Sequence, residues 1–284
     1  MFLARIQTAQ GPTAARIIDN FATPLDLASA GLSSLSQLLS SEQLVTLARD
    51  IPAIAPSIPL EVVRWLPPID DQEVWAAGVT YKRSQTARME ESEAAASCYD
   101  RVYTAARPEL FFKATPNRCS GHLGPLRIRT DATWNVPEPE LTLVLSSRGK
   151  IVGFTVGNDM SSRDIEGDNP LYLPQAKVYN QCCGLGPWIA LADDMPSRET
   201  IGIRLNIVRN AVVVFEGDTS VAQMARQLED LVQWLMRDND LPNGAFMLTG
   251  TGVVPDSSFT LAQGDTVHIS IDGIGTLINT IVQG

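Results

Sequence analysis

One stretch, NVPEPELTLVLSSRGKIVGFTVGND (residues 135–159), constrains the fold more than any other part of the chain. Two apolar runs flank Ser-Ser-Arg-Gly-Lys, so the segment reads as a β-hairpin. With Arg148 and Gly149 as the two loop residues, Leu141 faces Val156, Leu143 faces Phe154 and Leu145 faces Val152. That face is wholly apolar. On the other face Thr142 meets Thr155, Glu140 meets Gly157 and Glu138 meets Asp159. A one-residue slip would mix the two sets. Alternate residues of a strand share a face, so Glu138, Glu140 and Asp159 converge, with Gly157 leaving room opposite Glu140. Three like charges on one patch repel unless a cation neutralises them. All-oxygen ligation suits a hard divalent ion, Mg²⁺ first, with Mn²⁺ or Ca²⁺ as alternatives. The competing reading is a solvated strand end with unrelated acids.

Strand-like runs continue on both sides of this hairpin: EVWAAGVTY, LRIRT, PWIAL, IGIRLNIVRNAVVVFEG and DTVHISIDGIGTLINTIV. SVAQMARQLEDLVQWLMRD has helical periodicity with Ser220 as its N-cap, and Glu90 to Tyr99 forms a second candidate helix. Many strands with few helices predict an α+β, β-rich mixed fold. Residues 1–68 read as a small N-terminal domain. It holds a short strand and turn, one helix in SLSQLLSSEQLVTLARDI with a Ser-rich cap, and a proline-punctuated linker. Residues 69–284 form the main domain.

A formal net charge of −10 argues against nucleic acid or an anionic membrane as partner, and no apolar run reaches the ~18 residues of a membrane span. With no signal peptide at the start, a cytoplasmic location is expected. The four cysteines fit reduced structural thiols there. Two histidines, His122 and His268, are too few for histidine-based metal sites or a Ser-His-Asp triad to be an easy reading. His122, in the Gly-rich SGHLGP loop, reads as a surface residue.

WAAGVTY, PELFFKATP, VPEPEL, GFTVGNDMSSRDIEG, AKVY, LGPWI and LTGTGVV occur in an order that resembles the fumarylacetoacetate hydrolase family, over residues 72–284. The resemblance implies that family's β-roll catalytic domain, with Glu138, Glu140 and Asp159 as metal ligands. It places Lys177 on the active-site lysine, Thr251 on the Gly-Thr substrate loop, and Lys113 and Tyr81 beside the substrate. Hydrolases of the family carry a histidine three residues after that tyrosine and a glutamate three further on. Here Ser84 and Ala87 stand at those positions.

Together with NPLYLPQAKVY, that departure resembles the family's sugar-acid branch, which belongs to pentose catabolism. The implied activity is a Mg²⁺-dependent dehydratase acting on a 2-keto-3-deoxy sugar acid such as 2-keto-3-deoxy-arabinonate. Such a 2-oxo acid chelates the ion, which stabilises an enolate formed by loss of a C3 proton. Glu109 is the candidate base and Lys177 the base or hydroxyl donor, its ammonium form disfavoured beside a cation. Ser84 would orient a substrate hydroxyl. Asp164 or Glu166 could support the ligands unless Arg163 pairs with them, and Tyr172 could join the pocket wall. The alternatives are a C–C hydrolase of acylpyruvate-like acids and a non-catalytic metal-binding scaffold. Family members imply a homo-oligomer, dimer or tetramer.

Overall fold

The computed structural model describes residues 1–82 and 101–284. The N-terminal strands are β1 (Phe2–Thr8), β2 (Gly11–Ile18), β3 (Phe21–Pro24), β4 (Ile58–Pro59) and β5 (Trp65–Leu66). They are followed by β6 (Glu73–Gly78), β7 (Glu109–Ala114), β8 (Cys119–Ser120), β9 (Pro125–Ile128) and β10 (Asn135–Val136). The hairpin supplies β11 (Pro139–Leu145) and β12 (Ile151–Asp159), and β13 (Ser161–Ser162) and β14 (Cys183–Leu191) come next. The chain closes with β15 (Gly202–Arg209), β16 (Val212–Ser220), β17 (Ala245–Leu248), β18 (Thr266–Ile271) and β19 (Gly275–Gln283).

A 12-stranded sheet runs β4-β3-β2-β1-β14-β12-β11-β17-β6-β7, with β5 on β1 and β8 on β14. A 5-stranded sheet runs β16-β15-β18-β19-β9. With short helices between, this is the α+β, β-rich fold expected. Strand β11 is buried along its whole length because both its faces are covered. Leu141, Leu143 and Leu145 pack with Ile203, Leu205, Ile269 and Leu277 of the smaller sheet and with the helix Leu228–Leu235. Val144 packs on the opposite side with Leu185, Phe246 and the N-terminal Leu35, Leu38 and Leu44. Each buried leucine contributes about 1.5–3 kcal/mol, so the register of this hairpin is strongly fixed.

The pairing follows the expected register from Glu140↔Gly157 to Leu143↔Phe154, and the Asp159 N–H donates to Glu138 O at 3.0 Å. The turn differs. Ser146 N–H donates to Lys150 O at 2.9 Å, enclosing three loop residues, and Gly149 has φ 71°. A three-residue loop needs one left-handed residue at its end, which glycine supplies; a two-residue type I′ turn would need Arg148 at positive φ as well. Leu145 therefore faces Ile151, not Val152, and the shift is absorbed as an irregularity next to Val144.

Residues 1–68 continue the main sheet, β1 pairing antiparallel with β14 through Phe2↔Ala190 and Leu3↔Ile189. Their helical segment is two helices, Leu35–Leu39 and Leu44–Asp50, not one. Ser34 caps the first, and the Ser41 hydroxyl takes the Gln43 N–H at 3.1 Å, a local bond that competes with helix continuation. The helix expected from Ser220 is also shorter. Ser220 caps only a 3-10 turn, Val221–Gln223, and the α-helix is Leu228–Leu235. Between them Ala225 N–H donates to Thr80 O at 2.8 Å, and Arg198 holds the carbonyls of Met224 and Arg226. Those bonds draw the chain out of the helix. The candidate helix Glu90 to Tyr99 lies outside the described residues. Among the described residues no helix is long and apolar enough to cross a membrane.

Candidate active site

Glu138 and Glu140 stand where the chain enters β11, and Asp159 ends β12. All three are buried, at 4%, 1% and 1% exposure, so they are not a solvated strand end. One oxygen of each lies within 4.8 Å of the others. Protein cations already serve two of them. Glu138 Oε1 meets Arg163 Nη2 at 2.6 Å and its Oε2 meets Lys177 Nζ at 2.7 Å. Asp159 Oδ2 lies 3.2 Å from Lys177 Nζ, and its Oδ1 lies 2.5 Å from Lys113 Nζ.

Glu140 differs. It accepts the Gly250 N–H at 2.6 Å, and no side-chain cation contacts it among the described residues. Burial, then the charges of Asp159 and Glu138, push its carboxyl well above the usual carboxylate range. The void beside the trio is about 20 Å³, roughly the room one water or one ion occupies. A buried carboxyl that no described side-chain cation contacts, facing an ion-sized space among oxygen donors, fits a hard divalent ion. The glycine opposite Glu140 has another purpose than expected. A Cβ on Gly157 would collide with Thr142 Oγ1 and Leu248 Cδ2, so its absence lets neighbouring side chains pack.

Lys177 ends the short helix Leu173–Lys177. Its ammonium donates to Glu138, Asp159 and Ser161 Oγ, the last at 2.5 Å, above the Phe111 ring at 5.7 Å. Lys113, on β7, is fully buried and donates to Met160 O at 2.9 Å and to Lys177 O at 2.5 Å. Burial is the largest influence and opposes its charge, but Asp159 together with Cys182, Tyr179 and Cys183 outweighs it and raises its pKa above the ordinary value. Lys113 thus braces both Asp159 and the backbone of Lys177. Gly250 reaches Glu140 with φ 94°, a conformation glycine adopts without strain. Thr80 Oγ1 donating to Thr249 O at 2.7 Å, and Thr249 Oγ1 donating to Leu141 O at 2.8 Å, fix that turn.

Seven of the expected residues line one cavity: Glu138, Glu140, Asp159, Lys177, Glu109, Thr251 and Glu166. Thr251 Oγ1 is held by Val253, accepting its N–H at 3.2 Å. Lys113 and Tyr81 do not line it. Tyr81 is buried behind Glu140, its phenol raised by burial and by that carboxylate. Ser84 and Ala87 lie outside the described residues. His122 is half-buried and accepts the Ile278 N–H at 3.2 Å, away from the cavity. Asp164 accepts from Thr133 N at 2.6 Å, and Tyr172 is 40% exposed. Sequence reasoning missed Ser161 as a partner of Lys177 and Arg163 as the partner of Glu138. Asp159, Ser161 and Arg163 alternate in sequence, a parity that could have placed all three on one side.

Beyond Glu109 and Glu166 the cavity adjoins a wider chamber of about 320 Å³. Known proteins resemble the chain in sequence and fold. A 2-dehydro-3-deoxy-D-arabinonate dehydratase from Saccharolobus solfataricus is 43% identical over 235 residues, 82% of this chain and 79% of that one. A probable 2-keto-3-deoxyxylonate dehydratase from Haloferax volcanii is 49% identical over 214 residues, covering 75% of this chain and 73% of its own. The solved structure of 2-keto-3-deoxy-D-arabinonate dehydratase complexed with magnesium and 2,5-dioxopentanoate superposes with a TM-score of 0.85 at 36% identity, covering 100% of this chain and 99% of that one. The profile of the fumarylacetoacetate (FAA) hydrolase C-terminal domain matches residues 73–282, and the chain belongs to the fumarylacetoacetate hydrolase family.

Proposed function

We propose that this protein is a divalent-metal-dependent dehydratase that removes water from a 2-keto-3-deoxy sugar acid, with 2-keto-3-deoxy-arabinonate or a stereoisomer as substrate. The observation that carries this reading is one cavity holding the Glu138–Glu140–Asp159 trio, the Lys177 ammonium and Glu109, in a chain whose relatives are named as such dehydratases. Mg²⁺ held by the trio, with Mn²⁺ or Ca²⁺ as substitutes, would supply Lewis acidity to the carboxylate and keto oxygen of a 2-oxo acid.

The protein's own groups then divide the proton work. Glu109 takes the C3 proton, and Lys177 gives a proton to the C4 hydroxyl, which departs as water. Ser161 and Asp159 aim the Lys177 ammonium, and Thr251 shapes the wall beside the reacting carbons. The 2,5-dioxopentanoate in the related structure has the composition of a 2-keto-3-deoxypentonate less one water. Reaching it needs two further proton shifts, one from C5 to C3 that moves the double bond to C4–C5 and one from the C5 hydroxyl to C4, with no outside oxidant. That product class supports a role in pentose catabolism. Free thiols at Cys119, Cys182 and Cys183 fit a reducing cytoplasm, and a homo-oligomer completes the reading.

The test is incubation of the Mg²⁺-loaded protein with 2-keto-3-deoxy-arabinonate, 2-keto-3-deoxyxylonate and an acylpyruvate, with products identified by mass. Loss of one water from a sugar acid, abolished by a chelator, is expected. Rapid cleavage of the acylpyruvate with no dehydration would replace this reading by the hydrolase.

A further inference from the structure

Cysteine thiols lie directly behind one of the trio's carboxylates. In the main sheet Asp159 on β12 faces Cys183 on β14, and Cys183 in turn faces Cys119 on β8. Residues that face each other across neighbouring strands project from one side of the sheet, so the carboxylate and the two thiols form a row across three strands. The Cys119 side chain hydrogen-bonds the Cys183 thiol and, ahead of burial, is the leading cause of that thiol's raised pKa. Neighbouring strands lie about 4.8 Å apart, inside the roughly 4.4–6.8 Å between Cα atoms that a disulfide spans. Cys183 is buried and Cys119 half-buried, so Cys119 is the member of the pair that a small solute reaches.

The pair also connects to the brace of the site. Lys113, which holds Asp159 Oδ1 at 2.5 Å, lies on the strand that runs into the turn before Cys119. Its carbonyl accepts from the thiol of Cys182, the residue next to Cys183, at 3.7 Å. We propose that Cys119 and Cys183 are a reversible oxidative modification site, at which a hydroperoxide such as hydrogen peroxide closes a disulfide that weakens the metal centre. The Cys119 thiolate attacks one peroxide oxygen, the O–O bond breaks, and hydroxide leaves and becomes water with the thiol's proton, giving a sulfenic acid. The Cys183 sulfur then displaces hydroxide from the Cys119 sulfur. The S–S bond forms, the S–O bond breaks, and the Cys183 proton departs with the hydroxide as water. Two thiols together lose two electrons to one peroxide, giving one disulfide and two waters. The new bond draws β8 onto the strand that backs Asp159 and pulls on the segment that carries Lys113. In a reducing compartment such bonds are usually transient and redox-sensing, so the thiol pair is the resting form. The consequence rests on the reading of the trio as a metal centre; the modification itself does not.

Two measurements on the full chain test this. Peroxide-treated protein is digested without reductant and its cross-linked peptides are mapped by mass, and Mg²⁺ affinity is measured by calorimetry before treatment, after it, and after dithiothreitol. A Cys119–Cys183 bond is expected, with Mg²⁺ affinity lowered about 10-fold or more, the scale on which disturbing the outer partners of metal ligands acts, and restored by dithiothreitol. Cys119→Ser should keep the affinity of the reduced protein and lose its response to peroxide. A bond from Cys119 to any other cysteine, or over-oxidised thiols with no bond, overturns the inference even if that variant does not fold. So does a Cys119–Cys183 bond that leaves Mg²⁺ affinity unchanged, or a folded Cys119→Ser protein that responds to peroxide as before. If the reduced protein binds no Mg²⁺, the metal reading itself fails and the weakening falls with it, while the peptide map still decides the modification site.

Discussion

Among the described residues, Glu140 is the carboxylate of the trio that no side-chain cation contacts. Its raised pKa means that, between the ordinary carboxylate range and its own value, the folded chain holds a proton that a metal ligand must give up. Metal binding should therefore release up to about one proton, and affinity should rise with pH through this window and then level off. Calorimetry in two buffers of different ionisation enthalpy measures the proton count; a count of zero throughout the window would contradict the assignment. Glu140→Gln should abolish both the proton release and tight binding.

Lys177 is bound to two of the same carboxylates, so its removal has two separable effects. Lys177→Met leaves Glu138 and Asp159 short of a buried cation, and the metal-free protein should lose about 3–5 kcal/mol. Saturating Mg²⁺ should restore much of that. Turnover should stay down by about 10²–10⁴, the usual worth of a positioned proton donor. Recovery of turnover together with stability would make Lys177 structural only. The sequence made the trio and Lys177 readable, through strand parity and motif. It did not show that Arg163 neutralises Glu138 from behind, because the acids next to it in sequence, Asp164 and Glu166, were its expected partners.

At the scale of elements, the β11–β12 hairpin positions the chemistry, and its tolerance is set by Gly157. A methyl group there would strike Thr142 Oγ1 and Leu248 Cδ2, both in the packed interior. Gly157→Ala should cost about 1–3 kcal/mol, as overpacking does, and lower the melting temperature by roughly 2–4 °C per kcal/mol. Thermal unfolding followed by circular dichroism checks this; an unchanged midpoint would mean the strands separate without penalty. The register was legible because apolar and polar residues alternate strictly between Glu140 and Leu143. The loop length was not, since Arg-Gly is compatible with both a two- and a three-residue turn. The helix after Ser220 misled for a different reason. Its apolar spacing continues back through Met224, but backbone pairing to Thr80 and the arginine bonds to its carbonyls outweigh that periodicity.

For the whole molecule, the N-terminal 68 residues carry no local sign that β1 will pair with β14, nearly two hundred residues away, so their role in covering the central strands emerges only in three dimensions. Surface features pose the complementary question of what covers the protein. Isolated exposed valines are ordinary, but Val212, Val213 and Val214 are consecutive, exposed at 63%, 54% and 39%, and lie on β16, the edge of the smaller sheet. An uncovered apolar edge strand is a template for pairing with another chain. A homo-oligomer using that edge must associate against a formal charge of −10 per copy. Salt screens that repulsion and leaves the apolar contact intact, so raising ionic strength should tighten assembly. Light scattering after size exclusion should give a dimer or tetramer whose dissociation constant falls from low to moderate salt. Val213→Lys should shift the population toward the monomer by placing a solvated charge in the contact. A protein that stays monomeric at every salt concentration would remove the edge as an interface, and assembly that weakens with salt would assign it to charged surfaces elsewhere.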